Sequence, residues 1–367
     1  MKQFFIFVFF IFIAGCSSNI YEEFETIHIK KNFVDAICMD DLFSEYTLVS
    51  LEATDSSLVA NPRKIILKND VVFILDRGMI FQFSINGVFL SVLDRRGRGP
   101  QEYLGIDDFC ISDEEIIIWD RKGKSLFRYS LENKYINRYK LDNYIATIYL
   151  LDNNKVLFLS AYEPRDEYKF IIRDLETMDL IASFYPINKA QISYRHFMGQ
   201  ENYYMYNGTL LFHEPMNNYI YKIENQEFKP IYYIDIFGQN PPDKFWGKKY
   251  KNIIDIHTIA HNKGYRYGIP MYAESDVQII FSFFYEDKYR LCRYLKETGE
   301  SVQPETIILF RTVPALKWID LHANSEDHVI FSIENSVFFD DHCMPYVKEL
   351  SLLSNNDNPV ICIAKLK

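Results

Sequence analysis

Residues 69–93, NDVVFILDRGMIFQFSINGVFLSVL, decide the fold once they are set above residues 113–141, DEEIIIWDRKGKSLFRYSLENKYINRYKL. In each, an apolar strand runs into Asp-Arg, a short turn follows, then an aromatic strand, a hairpin and another strand. Asp76 and Asp120 stand 44 positions apart. With drift the phrase returns at 153–184, 207–234, 275–309 and 326–339. Each run is short, rich in Ile, Val, Phe and Tyr, and bounded by Asn, Asp, Gly or Glu, the pattern of an antiparallel meander. A further strand lies just upstream of each of the first three phrases: RKIIL (63–67), GIDDFCI (105–111) and IATIYLL (145–151).

A unit of about 40–50 residues with four strands reads as a propeller blade, because a small twisted sheet cannot bury both faces alone and must stack on its neighbours. The expectation is an all-β fold, a six-bladed β-propeller of four-stranded antiparallel blades spanning residues 41–367. A sandwich or two separate β domains would need a dividing linker, and no Pro-, Gly- or Ser-rich stretch supplies one. The ring is expected to close by pairing EYTLVSLEATDSSLV (45–59) beside the C-terminal NPVICIAKLK (358–367).

The order YTLVSLEATDSSLV, then ILD, then GRGPQEY, then DDF resembles a family of six-bladed β-propeller lipoproteins, NHL-like in general form, in which a G-x-GPxEY segment joins the first blade to the second. In this chain Gln101 stands where glycine is commoner after the proline. The family is described by its fold and is largely without assigned activity, so the resemblance implies a shape and little chemistry.

The amino terminus speaks of compartment. MKQFFIFVFFIFIAGCSS places one lysine before an apolar run from Phe4 to Ala14 and closes on Ile13-Ala14-Gly15-Cys16. That run is too short for a stable membrane span and reads as a secretory signal. The small residues before Cys16 match a lipobox, so residues 1–15 are expected to be cleaved, Cys16 to be acylated, and residues 16–40 to form a tether. The protein is then lipid-anchored in the cell envelope, at the outer membrane, without spanning it.

Composition fits a globular chain, 48% hydrophobic and 25% charged, with a formal net charge of −10 that becomes −11 once Lys2 leaves with the signal. An acidic balance argues against nucleic-acid binding. Beyond Cys16, the cysteines are Cys38, Cys110, Cys292, Cys343 and Cys362; five cannot all pair, and no CxxC spacing offers a zinc site. The 27 Tyr and 30 Phe invite a sugar-stacking reading, but blade strands need aromatic packing. No metal site and no cofactor is expected.

The densest local signal is LDRRGRGPQEYLGIDDF (93–109), a cluster of arginine, glycine and proline in an acidic, glycine-poor chain. In a propeller, the connection between blades and the turn between a blade's second and third strands emerge on one face. That placement gathers Arg77, Arg95, Arg96, Arg98, Glu102, Tyr103, Arg121 and Lys122 around blades one and two as a candidate ligand-binding set. Gly97 and Gly99 allow positive φ or close approach, and Pro100 fixes the turn. One reading has the arginines answer Asp94, Glu102 and Asp120 in exposed pairs worth little. The other has them frame an anion, for which guanidinium offers planar bidentate donors. The turns of the opposite face, such as SDEE and KETGE, read acidic.

Residues 241–268 interrupt the repeat between blades four and five and suggest helix over 243–262. There His257 and His261 are spaced i, i+4, but Thr258 stands where a metalloprotease carries glutamate, so a helix capping the ring is favoured over metal. With Trp246, Tyr250, Lys248, Lys249 and Lys251, the segment is a candidate wall or lid. The sequence contains no GxSxG, Walker or calcium loop, and no catalytic residue is expected. A partner or ligand remains open among a small molecule, glycan, peptide or envelope protein. A propeller enzyme of lactonase or lyase type would need polar residues on the axis, where KIIL, FCI and TIYLL read apolar. A structural subunit of an envelope complex is the third reading.

Overall fold

The computed structural model describes residues 24–160, 166–187, 189, 202–214, 216–286, 288–309, 313–316, 321–325, 328–334 and 358–367. The chain opens with β1 (Glu25–Ile29), β2 (Phe33–Cys38), a helical turn α1 (Met39–Leu42) and β3 (Phe43–Ser50). Blade one is β4 (Lys64–Lys68), β5 (Val71–Asp76), β6 (Met79–Ser84) and β7 (Phe89–Leu93). Blade two is β8 (Asp108–Ile111), β9 (Glu115–Asp120), β10 (Ser125–Ser130) and β11 (Tyr135–Lys140). Blade three is β12 (Ile145–Asp152), β13 (Lys155–Ser160), β14 (Tyr168–Asp174) and β15 (Leu180–Pro186). Blade four is β16 (Tyr203–Tyr206), β17 (Thr209–His213), β18 (Tyr219–Glu224) and β19 (Glu227–Ile236). Helices α2 (Asp243–Trp246) and α3 (Ile253–Asn262) then lead to blade five, which is β20 (Tyr272–Glu274), β21 (Gln278–Tyr285), β22 (Lys288–Leu295) and β23 (Ser301–Leu309), with β24 (Val313–Leu316) beside β23. Blade six takes β25 (Leu321–Ser325), β26 (His328–Ile333) and β27 (Val360–Leu366).

These six sheets form a six-bladed β-propeller. The middle strands explain the runs that gave the repeat away. Successive side chains on a strand point to opposite faces, and in a blade both faces are buried. In β5, Phe73 and Leu75 enter the core shared with blade two, while Val72 and Ile74 enter the core shared with blade six. In β9, Ile116 and Ile118 face blade one and Ile117 and Trp119 face blade three. The same alternation puts Leu157 and Leu159 of β13 toward blade four. A strand wetted on one face would alternate with polar residues; these do not.

Ring closure follows the expected pairing. β27 lies antiparallel to β3, from Val360 opposite Ser50 to Leu366 opposite Phe43, and on its other edge pairs with β26. The amino terminus thereby supplies the outer strand of the last blade. The third strand of blade six is thus the C-terminal strand, whereas the residues 335–339 that end the sixth phrase lie outside the described residues.

The expected tether differs. From Glu25 onward it is strand: β1 pairs in parallel with β19, the outer strand of blade four, and β2 in parallel with β23 of blade five. These pairings cover edges that would otherwise expose unpaired N–H and C=O groups. Ile27 and Ile29 are buried by β19, which is why this short segment orders. Residues 1–23, including Cys16, and Cys343 lie outside the described residues. Cys38, Cys110, Cys292 and Cys362 are free thiols. Among the described residues no helix is long and apolar enough to cross a membrane.

The seam between blades six and one rests on one glycine. Gly87, in the β6–β7 turn, has φ +82°, its carbonyl accepts from Glu52 N at 2.8 Å, and a Cβ there would lie 1.9 Å from the Ser50 carbonyl oxygen. The obstacle is backbone and cannot rotate away. Gly87→Ala is expected to cost about 2–4 kcal/mol, combining left-handed strain with a displaced seam, read as a lower urea midpoint at unchanged slope.

Candidate functional site

The loop from β7 to β8 folds on itself before it presents anything to solvent. Glu102 N donates to Gly99 O at 3.1 Å, making a four-residue turn with Pro100 in the position whose φ proline presets. The Glu102 carboxylate reaches back to accept from Gly99 N at 2.8 Å. Gly97 makes room for it, since a Cβ at that position would sit 1.9 Å from Glu102 Oε2. Gly97 and Gly99 therefore serve close approach; neither has positive φ, and nor does Gln101. The Gln101 carbonyl accepts from the Tyr129 hydroxyl at 2.8 Å, which fastens the loop to blade two.

Tyr103 faces inward. It is fully buried, its hydroxyl donates to Leu93 O and accepts from Arg95 N, both at 3.1 Å, and its ring meets Phe127 and Tyr129 edge-on. Burial pushes its hydroxyl pKa up to about 12. The Glu-Tyr of the motif thus fastens the loop from within.

The repeated aspartates are pins. Asp76, at the end of β5, accepts from Ala60 N at 2.8 Å, holding the segment that enters blade one. Asp120, at the end of β9, accepts from Leu104 N at 2.8 Å and Gly123 N at 2.7 Å, holding the segment that enters blade two. Both are about 1% exposed. A carboxylate in that position satisfies backbone donors of two loops at once, which accounts for its recurrence.

The cations divide into two groups. Arg96 is bidentate to Asp94, at 2.7 and 2.8 Å, and its Nη1 donates to Arg77 O at 3.3 Å, so the between-blade loop and the β5–β6 turn do meet. This pairing raises the Arg96 pKa and lowers that of Asp94. Arg77 pairs with Asp76 at 2.9 Å. Arg121 turns toward blade three, donating to Ala146 O at 3.0 Å beside Asp107 and the Tyr144 ring, and does not join the Arg96 group. Arg95, Arg98 and Lys122 are exposed, and among the described residues their side chains have no carboxylate partner. Asp94 answers an arginine as expected, whereas Glu102 and Asp120 are engaged by backbone N–H groups.

A family model described as a domain of unknown function, DUF4934, matches residues 24–365. The chain belongs to that family. A putative exported protein of Bacteroides fragilis has a similar structure, with a TM-score of 0.70 at 19% identity over 93% of this chain and 99% of that one. A member of the duf4221 family from Bacteroides vulgatus gives 0.48 at 10% identity over 89% and 97%. Virginiamycin B lyase from Staphylococcus aureus gives 0.41 at 15% identity over 78% and 82%. At such identities the likeness concerns the fold. No curated protein matches by sequence.

In this DUF4934 chain the inner strands carry polar groups that the apolar reading of KIIL and FCI passed over. Lys64, the first residue of β4, lies 2.8 Å from Asp108, the first residue of β8, and also donates to Phe109 O at 2.7 Å. The other Asp108 oxygen accepts from Ile148 N of β12 at 2.8 Å, so one carboxylate clasps three blades. Burial raises the Asp108 pKa, with the Lys64 ammonium opposing. The visible signal was charge at the first position of two successive inner strands.

The insertion is helical as expected, in two pieces broken at Gly247. Phe245, Tyr250, Ile256, Ala260 and Tyr267 build its own small core with Met216, and Trp246 packs edge-on to Phe245 and Tyr267. His257 Nδ1 meets the Tyr267 hydroxyl at 2.5 Å, and burial lowers its pKa. Lys248, Lys249 and Lys251 stand exposed.

Proposed function

We propose that this chain is a lipid-anchored envelope protein whose propeller uses the loop face of blades one and two to bind an anionic ligand, small molecule or partner segment, without catalysing a reaction. One observation carries the reading: Arg95 and Arg98 lie exposed, without a carboxylate partner among the described residues, on a loop that Glu102, Tyr103 and the Gln101 carbonyl hold in shape. A rigid frame with Arg96 and Arg77 oriented by aspartates costs little ordering on binding, which suits recognition of carboxylate or phosphate. A screen of acidic glycans, peptides and phosphorylated metabolites at low and high salt tests it. The wild type should bind at least one class with salt-sensitive affinity, and the R95A/R96A/R98A variant should lose it while folded. Equal binding by both proteins contradicts the site.

Anchoring rests on Ile13-Ala14-Gly15-Cys16. Mass spectrometry of the mature protein is expected to show cleavage before Cys16 and an acyl adduct on it, with the Cys16→Ala variant lacking the adduct and leaving the membrane fraction. An unchanged lipid mass in that variant contradicts the anchor.

A further inference from the structure

The helical insertion between blades four and five carries a charge opposite to that of the whole chain. Residues 243–268 hold Lys244, Lys248, Lys249, Lys251, Lys263 and Arg266 against Asp243 and Asp255, in a chain with a formal net charge of −10. Lys244, Lys248, Lys249 and Lys251 are exposed, and none of them forms an ion pair among the described residues. Asp255 is occupied by backbone: it accepts from Lys251 N at 3.3 Å, while Asn252 caps α3 by accepting from Asp255 N at 3.0 Å.

Packing then fixes what α3 turns outward. Ile256 and Ala260 are buried in the small core with Phe245, Tyr250 and Tyr267, so Ile254, Thr258 and His261, spaced i, i+4 and i+7, share the solvent side. Ile254 is 71% exposed, the most exposed large hydrophobic side chain among the described residues. A lone exposed isoleucine is ordinary, but this one follows three exposed lysines within six positions. Ammonium groups beside an apolar tip suit a surface that rests on anionic headgroups and lowers the tip to the acyl boundary.

The chain's own connection brings this surface near a bilayer. β1 runs parallel to β19, whose end leads into the insertion, and Glu25 lies opposite Tyr232, four positions before Ile236. Nine residues separate Cys16 from Glu25, a reach of at most about 30 Å. One acyl chain alone holds a membrane only marginally, and a basic patch is the usual second signal.

We propose that the α2–α3 insertion is a membrane contact, in which Lys248, Lys249 and Lys251 meet anionic phospholipid headgroups and Ile254 enters the interface beside them. It rests on the anchoring reading for the tether alone, and an acyl-free chain separates the failure of one from the failure of the other.

The probes are vesicles of phosphatidylglycerol with phosphatidylethanolamine, compared with phosphatidylcholine vesicles, on the mature chain carrying C16S. That chain should co-sediment with the anionic vesicles and not with the neutral ones, and high salt should release it. K248Q/K249Q/K251Q should bind about tenfold more weakly and I254S about threefold more weakly, both melting as the wild type, since all four positions are exposed. R95A/R98A should bind within about twofold of the wild type. No binding to anionic vesicles, full binding by the lysine variant or by I254S, or binding lost in R95A/R98A overturns the contact. Tighter capture by polyglutamate than by anionic vesicles assigns the patch to an acidic protein segment and overturns it as well.

Discussion

Ending the chain at Asn356 is expected to abolish cooperative folding. The cut removes β27, which is flanked on both sides by β26 and β3 and is the only covalently late strand that joins the two ends of the described ring. Val360, Ile361, Cys362, Ile363, Ala364 and Leu366 are all buried. At roughly 1.5–3 kcal/mol for each large apolar side chain, their loss rivals the whole stability of an ordinary domain, about 5–15 kcal/mol. The cut also takes Asn358, about 1% exposed, whose side chain accepts from Val59 N at 2.8 Å and donates to Glu52 O and Ser57 O at 3.0 Å. Two strand edges are left bare, so aggregation should accompany the loss. Urea unfolding of the intact chain should show one steep transition and the truncated chain none. A truncated chain melting within a few degrees of the intact one would show that the ring is not closed by this strand.

Asp108→Ala should be the most damaging single substitution among the charged residues. It leaves the Lys64 ammonium, on a side chain 12% exposed, without its counter-ion and the Ile148 N–H without an acceptor. Removing one partner of a buried pair costs about 3–5 kcal/mol, whereas replacing both by apolar residues of similar size is often nearly neutral. Asp108→Ala and Lys64→Met should each lower the urea midpoint strongly, and a K64M/D108L double variant should recover much of the loss. Single variants within about 1 kcal/mol of wild type would deny the three-blade clasp.

The parts of this fold that were legible share one physical property: they are buried on both faces. VVFIL and EIIIW sit between two cores, so their residues are apolar without alternation and the repeat survives drift. NPVICIAKLK was legible as a closing strand for the same reason. β1 and β2 were not, because ETIHI and FVDAIC are short edge strands without a run of fully buried residues, and the partners that order them are some 200 residues or more away, Ile27 opposite Ile234 and Phe33 opposite Gln303. In the candidate site, the gathering of Arg77 with Arg96 was readable from propeller topology alone. The inward role of Tyr103 was not, since Glu-Tyr beside arginines reads equally as ligand contact or as loop fastening until Phe127 and Tyr129 are placed against it. Lys64 and Asp108 went unread because their attraction exists only once two inner strands stand side by side.

On the proposed function, Arg95 and Arg98 stay free of carboxylates in order to meet an anion. The most direct test takes the tightest anionic binder of the wild type and measures its affinity by calorimetry across a salt series, on the wild type and on R95A/R98A, which leaves the Arg96–Asp94 pair in place. The wild-type affinity should fall steadily with salt, and the double variant, unchanged in melting temperature, should bind at least tenfold more weakly with a flatter salt dependence. Equal affinity and equal salt dependence in the two proteins would contradict it.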